Sequence, residues 1–140
     1  MYVCWKRYAA FTGNALHSRN KRMKPVRGGT MVEKIDKVSF NHFISEGQKV
    51  VEFIAGWCVD CKRIAFSMPA WEEEYTSFRF GEIDVDEARE IAESRDVKGV
   101  PTFIAFRDGR EIGRLHSKEA KKEENIEAFL DRITEGVTCS

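Results

Sequence analysis

From Met31 onward, apolar positions recur in two alternating rhythms, one matching strands and one matching helices. Val32 and Ile35 bracket a short first strand over residues 32–35. Asp36 is placed to cap a helix over 37–46, in which Phe40, Phe43 and Ile44 share one face and Gly47 ends the run. Residues 49–55 are nearly continuous in β-branched and aromatic side chains, as in a strand covered on both faces. A long helix then opens on Gly56-Trp57-Cys58-Val59-Asp60-Cys61; Ile64, Ala65, Met68 and Trp71 form its inner side, and Pro69 is expected to kink it midway. Residues 78–85 form another strand, and Asp84, Asp86 and Glu87 favour a helix start behind it, with Ala88, Ile91 and Ala92 turned inward. A further apolar strand over 102–106 meets the hairpin signal Arg107-Asp108-Gly109-Arg110, which leads into 111–115. Ile126, Phe129, Leu130 and Ile133 define the last helix, with Gly136 beyond its end. The order βαβαβαββα predicts an α/β fold of three layers, α/β/α. Its central mixed sheet has four to five strands, with parallel crossovers wherever a helix separates two strands and an antiparallel final pair.

Composition agrees with one such domain. The chain has 140 residues, 42% of them hydrophobic, with ten Phe and three Trp to fill a core. Three Pro and ten Gly exclude a collagen-like or Pro/Gly-rich disordered chain. No apolar run approaches the ~20 residues of a membrane-spanning helix; the longest candidate, 50–59, is interrupted by Glu52 and Gly56. The formal net charge of zero hides an asymmetry. Residues 1–30 carry seven basic residues and no carboxylate, so the remainder holds seven more acids than bases. This stretch lacks sustained periodicity, and four readings fit it: a basic arm for an anionic surface, an organelle-targeting presequence, a leader ahead of a true start at Met31, or a solvated tail. A secretory signal fits poorly, because Thr12-Gly13-Asn14 cuts the apolar segment short. The domain boundaries follow as 1–30 for a basic, disordered leader or tail, 31–137 for the patterned domain and 138–140 for a C-terminal tail.

Cys58 and Cys61 stand where a strand feeds a helix. The first amides of a helix lack intrahelical partners, and their positive end favours a thiolate over a thiol. A spacing of three lets the second sulfur reach the first, so that one attacks a disulfide and the other displaces the product. A Cys-x2-Cys pair is also half of a tetrahedral zinc site. No second pair follows, and Cys4, Cys139, His17, His42 and His116 stand in no ligand spacing. Two unreactive core cysteines are a further alternative.

The segment Phe53-Ile54-Ala55-Gly56-Trp57-Cys58-Val59-Asp60-Cys61-Lys62, with Val100-Pro101-Thr102-Phe103 beginning thirty-nine residues after Cys61, resembles the thioredoxin family. The likeness covers residues 32–136, and the Trp-Cys-x-Asp-Cys core is similar to that of small bacterial members. The resemblance implies the thioredoxin fold and a protein thiol–disulfide oxidoreductase acting mainly as a reductase. In it, Cys58 is the exposed nucleophile, Cys61 the buried resolving thiol and Pro101 a cis-proline facing them. The Val100 backbone pairs with an extended substrate segment, and Trp57 shields the rim. No cofactor is implied beyond the redox-active pair Cys58–Cys61. The implied partners are disulfide-containing proteins and a thioredoxin reductase or equivalent electron donor. The expected protein is a cytoplasmic monomer that engages neither nucleic acid nor membrane. A binding or chaperone module without turnover, and a disulfide oxidant or isomerase, are the competing functions.

Three further positions bear on tuning. Glu52 interrupts an apolar strand, where an unpaired carboxylate is costly; it matches the family's buried proton acceptor, which is usually Asp. Val59 and Asp60 replace the commoner Gly-Pro, and a carboxylate beside Cys61 should disfavour a thiolate there. Phe66 stands where the family often has a helix proline. The runs Glu72-Glu73-Glu74 and Lys121-Lys122-Glu123-Glu124 are expected to be solvated helix faces, with His42 and His116 on the surface.

Overall fold

The computed structural model describes residues 32–139; the basic segment 1–30 and the readings placed on it lie outside the described residues. Five strands form one sheet in the order β1-β3-β2-β4-β5, where β1 is Glu33–Ile35, β2 Gln48–Ile54, β3 Arg79–Asp84, β4 Thr102–Arg107 and β5 Arg110–Leu115. Both β1 and β2 run parallel to β3, whereas β4 is antiparallel to β2 and to β5. The helices are α1 (Phe40–Ile44), α2 (Val59–Ala65), α3 (Met68–Glu74), α4 (Arg89–Ser94) and α5 (Glu123–Cys139).

Alternation along β2 splits the core into two layers. Val50 joins Phe80 and Phe103 under Ile64, Met68, Trp71, Ile126 and Phe129, the inner sides of α2, α3 and α5. Val51 and Phe53 face the other way, with Ile83, Ile104 and Phe106, onto Phe40, Phe43 and Ile44 of α1 and onto Ala88. The three-layer α/β/α arrangement read from the periodicity is the one observed. Gly81 sits at a tight point of the second layer, since a Cβ there would collide with Ile35 and lie 3.0 Å from Phe43 Cζ. The hairpin signal is also realised: Asp108 (φ 51) and Gly109 (φ 89) both take positive φ, as a two-residue turn matched to strand twist requires.

Four expectations are corrected. First, β4 does not continue the parallel crossovers. The connection over residues 85–101, with its six-residue helix α4, brings the chain back to the end of the sheet where β3 stops instead of carrying it along the strand. Strand β4 therefore starts at the end where β3 stopped, with Thr102 beside Phe53 and Asp84 beside Ile54. Second, the long helix is two helices. Pro69 lies in the first turn of α3, and a proline ring clashes with the carbonyl four residues earlier. That residue is Ala65, where α2 ends. Third, the first helix is shorter than 37–46: Asp36 Oδ1 accepts from the backbone N–H groups of Val38 and Ser39 and holds a turn, and the α-helix begins only at Phe40. Fourth, Gly136 lies within α5, not past it; near a helix end, one glycine costs only about 1 kcal/mol.

The acids of α5 are likewise more than a solvated face. Glu123 accepts from Ser67 Oγ at 2.8 Å, Glu127 from Trp71 Nε1 at 3.0 Å and Asp131 from Tyr75 Oη at 2.7 Å. Donors and acceptors both advance by four residues, so α3 and α5 lie alongside each other in parallel, joined by three rungs.

Candidate active site

The carboxyl ends of β2 and β3 and the start of β4 meet at one edge of the sheet, and the two cysteines are placed there. Behind β2, Ala55 O accepts from Cys58 N–H at 3.1 Å and closes a turn. Cys58 takes an extended conformation (φ −88, ψ 110) and is the N-cap of α2. Its Sγ accepts the Cys61 backbone N–H at 3.1 Å, so sulfur does what a Ser or Asp side chain does at other caps. Cys58 and Cys61 form a disulfide with Cα atoms 5.3 Å apart, inside the usual range for such a bond. Ala55 packs with the pair, flanked by Ile54, Val85 and Val100.

Cys58 was expected to be exposed and Cys61 buried, yet the two are 6% and 5% exposed. Bonding to Cys61 and accepting its N–H turn the Cys58 sulfur into the cluster with Ala55. Exposure belongs instead to the neighbours: Trp57 is 69% and Val59 76% exposed. The Trp57 indole is held by a bond from Nε1 to Asp86 Oδ2 at 3.0 Å. Asp86 is itself set by its N–H donating to Asp84 Oδ1 at 2.8 Å.

Opposite lies the loop into β4. The Val100–Pro101 peptide bond is cis, Pro101 is buried, and Val100 packs against the cysteine cluster. Thr102 Oγ1 donates to Gly99 O at 2.7 Å and fixes the approach. Gly99 is crowded, since a Cβ would stand 2.5 Å from Ser117 Oγ and 3.2 Å from Ser117 Cβ, and Ser117 would have to move.

Two residues before Ile54, which flanks the cysteine cluster, Glu52 is fully buried in β2 on the same strand face. Neither of its carboxylate oxygens has a hydrogen-bond partner among the described residues. Burial pushes this carboxyl well above the usual range, and the Glu82 carboxylate on β3 adds to the effect. Asp60, by contrast, is paired with a cation. Arg63 Nη2 donates to Asp60 Oδ1 at 3.1 Å and to Lys121 O at 2.5 Å, tying the inter-cysteine residue to the turn before α5.

Trp57, Cys58, Val59, Asp60, Cys61, Val100 and Pro101 therefore gather at this edge, and Glu52 lies in the strand that leads to it. Those missed are Arg63, Asp86, Glu82 and Ser117. The Asp60–Arg63 spacing of three was a legible signal on a helix; the other three depend on which strands and loops adjoin. Among the described residues, no group of three or more His, Cys, Asp or Glu could hold a metal ion, and no helix is long and apolar enough to cross a membrane.

A disulfide that closes on the first turn of a helix, faces a cis-proline loop and crowns a mixed three-layer α/β/α sheet defines a thiol–disulfide oxidoreductase. Residues 31–132 match the Thioredoxin family, and the chain belongs to it. The thioredoxin of Sus scrofa is 36% identical over 107 residues, 74% of this chain and 99% of its own. That of Chlamydia caviae is 34% identical over 85 residues, 61% of this chain and 83% of its own. Among solved structures, Plasmodium falciparum thioredoxin superposes with a TM-score of 0.67 at 27% identity, covering 72% of this chain and 98% of that one. Mitochondrial thioredoxin 3 of Saccharomyces cerevisiae, in its oxidised form, gives a TM-score of 0.64 at 27% identity, covering 72% and 94%.

Proposed function

We propose that this oxidoreductase works chiefly as a reductase of protein disulfides, with Cys58 as nucleophile, Cys61 as resolving thiol and Glu52 as proton acceptor. In the reduced enzyme the Cys58 thiolate attacks one sulfur of the substrate disulfide. The other substrate sulfur leaves as a thiolate and takes a proton from solvent, while the attacked one stays bonded to Cys58 in a mixed disulfide. Glu52 accepts the proton of the Cys61 thiol, and the resulting thiolate attacks Cys58 Sγ. That step releases the substrate sulfur held on Cys58 as a thiolate and leaves Cys58–Cys61 oxidised, two electrons having passed to the substrate. The observation that carries this reading is the Cys61 N–H aimed at Cys58 Sγ at the head of α2, a donor already in place for a sulfur anion.

Val100 contributes backbone groups for an extended substrate segment next to Pro101, and exposed Trp57 and Val59 frame the approach. A separate flavin- and NADPH-dependent thioredoxin reductase, or an equivalent donor, returns the electrons. The family match over 31–132 supports a catalytic domain of 31–137. We place the protein in the cytoplasm as a monomer; with two cysteines in one redox motif and two near the termini, there is no disulfide framework of the secreted kind.

The test is insulin reduction with an external dithiol, paired with trapping by Cys61→Ser, which should accumulate mixed disulfides through Cys58. A thiol pair that neither turns over nor traps substrate indicates a binding module. A pair that oxidises glutathione completely indicates a strong oxidant.

A further inference from the structure

Lys34, Glu82 and Glu52 stand in one line across the sheet. Glu82 is the register partner of Lys34 on β1 and of Glu52 on β2. Register partners in neighbouring strands project from the same face, here the face covered by α2, α3 and α5. The line runs from water to the interior: the side chain of Lys34 is 82% exposed, that of Glu82 12%, and Glu52 is fully buried. Lys34 Nζ donates to Glu82 Oε1 at 2.7 Å. On the other flank, the partner of Glu52 is the apolar Phe103 of β4. The helices packed on this face contribute Cys61, Ile64, Met68, Trp71, Ile126 and Phe129 to the interior, none of them charged. Glu82 is the charge directly beside Glu52 on this face and raises its carboxyl further, while Asp84, two residues along β3, and Glu87 join Glu82 in acting on Lys34.

We propose that the Lys34–Glu82 ion pair is a control element for the buried carboxyl of Glu52: Glu82 is a positioning residue for the proton-transfer step of disulfide exchange, and Lys34 at the sheet margin sets how strongly Glu82 acts. The inference rests on the reading of Glu52 as proton acceptor. Its physical basis is that two like charges side by side in a low-dielectric interior oppose each other's ionisation, while a cation paired to the outer one weakens that opposition. Neutralising Glu82 removes the repulsion and leaves the Lys34 cation on the same line, so Glu52 ionises more readily. Neutralising Lys34 leaves Glu82 uncompensated, so Glu52 ionises less readily. A general loosening of the strand would admit water and ease ionisation in both cases.

The experiment is a carbon-13 titration of the Glu52 side-chain carboxyl in the full-length oxidised protein, assigned with Glu52→Gln, for wild type, Glu82→Gln, Lys34→Gln and Glu82→Asp. Proton affinity of Glu52 should fall roughly three- to tenfold in Glu82→Gln and rise about twofold in Lys34→Gln, with Glu82→Asp close to wild type. The pH profile of Cys61 alkylation in the reduced protein should move in the same two directions. An unmoved Glu52 titration in Glu82→Gln, or displacement in the same direction by both neutralising variants, overturns the proposal. So does an alkylation profile that stays put while the titration moves. Because the titration needs no turnover, the coupling is judged separately from the proton-acceptor reading, which stands or falls on the alkylation profile of Glu52→Gln.

Discussion

Glu52 is the residue on which chemistry and stability meet. Its carboxyl is raised by burial first and by Glu82 second, so over a window of pH below the raised folded value the native state keeps a proton that the unfolded chain has already released, and above it Glu52 is ionised and free to accept one. Between the ordinary carboxylate range and the raised folded value, the native state binds more protons than the unfolded one, and stability falls as pH rises. Below that window both states are protonated and the penalty vanishes. The stability difference between Glu52→Gln and wild type should therefore move in the variant's favour by up to about 1.4 kcal/mol per pH unit across the window. Guanidinium unfolding of the oxidised proteins at several pH values measures it; parallel curves for the two proteins would contradict the assignment. Asp60 leads to a smaller expectation. Its ion pair with Arg63 has side chains 37% and 47% exposed, a setting in which such pairs contribute about 1 kcal/mol or less. Asp60→Asn should accordingly shift the equilibrium with glutathione by no more than about fivefold. The identity of both carboxylates as unusual was legible, because an acid in an apolar run and an acid between two cysteines stand out by position alone. The partner of Asp60, Arg63, stands three residues on along the same helix and was legible too; that of Glu52 was not, since Glu82 lies thirty residues further along the chain.

At the scale of elements, the loop before Pro101 and the parallel pair of helices invite direct tests. A Cβ at Gly99 meets Ser117 Oγ at 2.5 Å and Ser117 Cβ at 3.2 Å. Gly99→Ala should cost about 1–3 kcal/mol through overpacking and slow insulin reduction by displacing Val100. Adding Ser117→Gly removes both obstructing atoms and should restore most of the loss, which a double-mutant cycle on stability and rate will reveal. The rungs between α3 and α5 predict that Tyr75→Phe, which deletes the donor to Asp131, lowers stability by about 1 kcal/mol. Trp71→Ala, which empties a buried site as well as removing a rung, should lower it by about 3–5 kcal/mol. Periodicity located every strand and helix to within a few residues, because each buries one face and its apolar spacing records which. It misjudged the run after the cysteines: a proline marks where a helix must stop, and the stop falls at the carbonyl it would clash with, four residues before the ring. The direction of β4 was equally hidden, since it follows from the path the connection 85–101 takes across the sheet and not from any local pattern.

For the molecule as a whole, the disulfide closes a loop with a sequence separation of three, so chain entropy limits its stabilisation to about 2 kcal/mol. The oxidised protein should exceed the reduced one in unfolding free energy by no more than that, as paired denaturant titrations will show. A chain lacking residues 1–30 should keep insulin reduction and a melting temperature close to that of the full chain; loss of either would place part of the working domain before Met31.

The sequence by itself determined the class of fold, the position of the redox pair and the chemistry available to it, because these depend on spacing and residue type over a few turns or strands. Tertiary structure alone decided the order and direction of the strands, the burial of Cys58, the bond from Arg63 to Lys121 O and the line from Lys34 to Glu52. Those features arise where segments remote along the chain are packed side by side. There the strength of each charge and the room for each side chain are set by neighbours that no local pattern names.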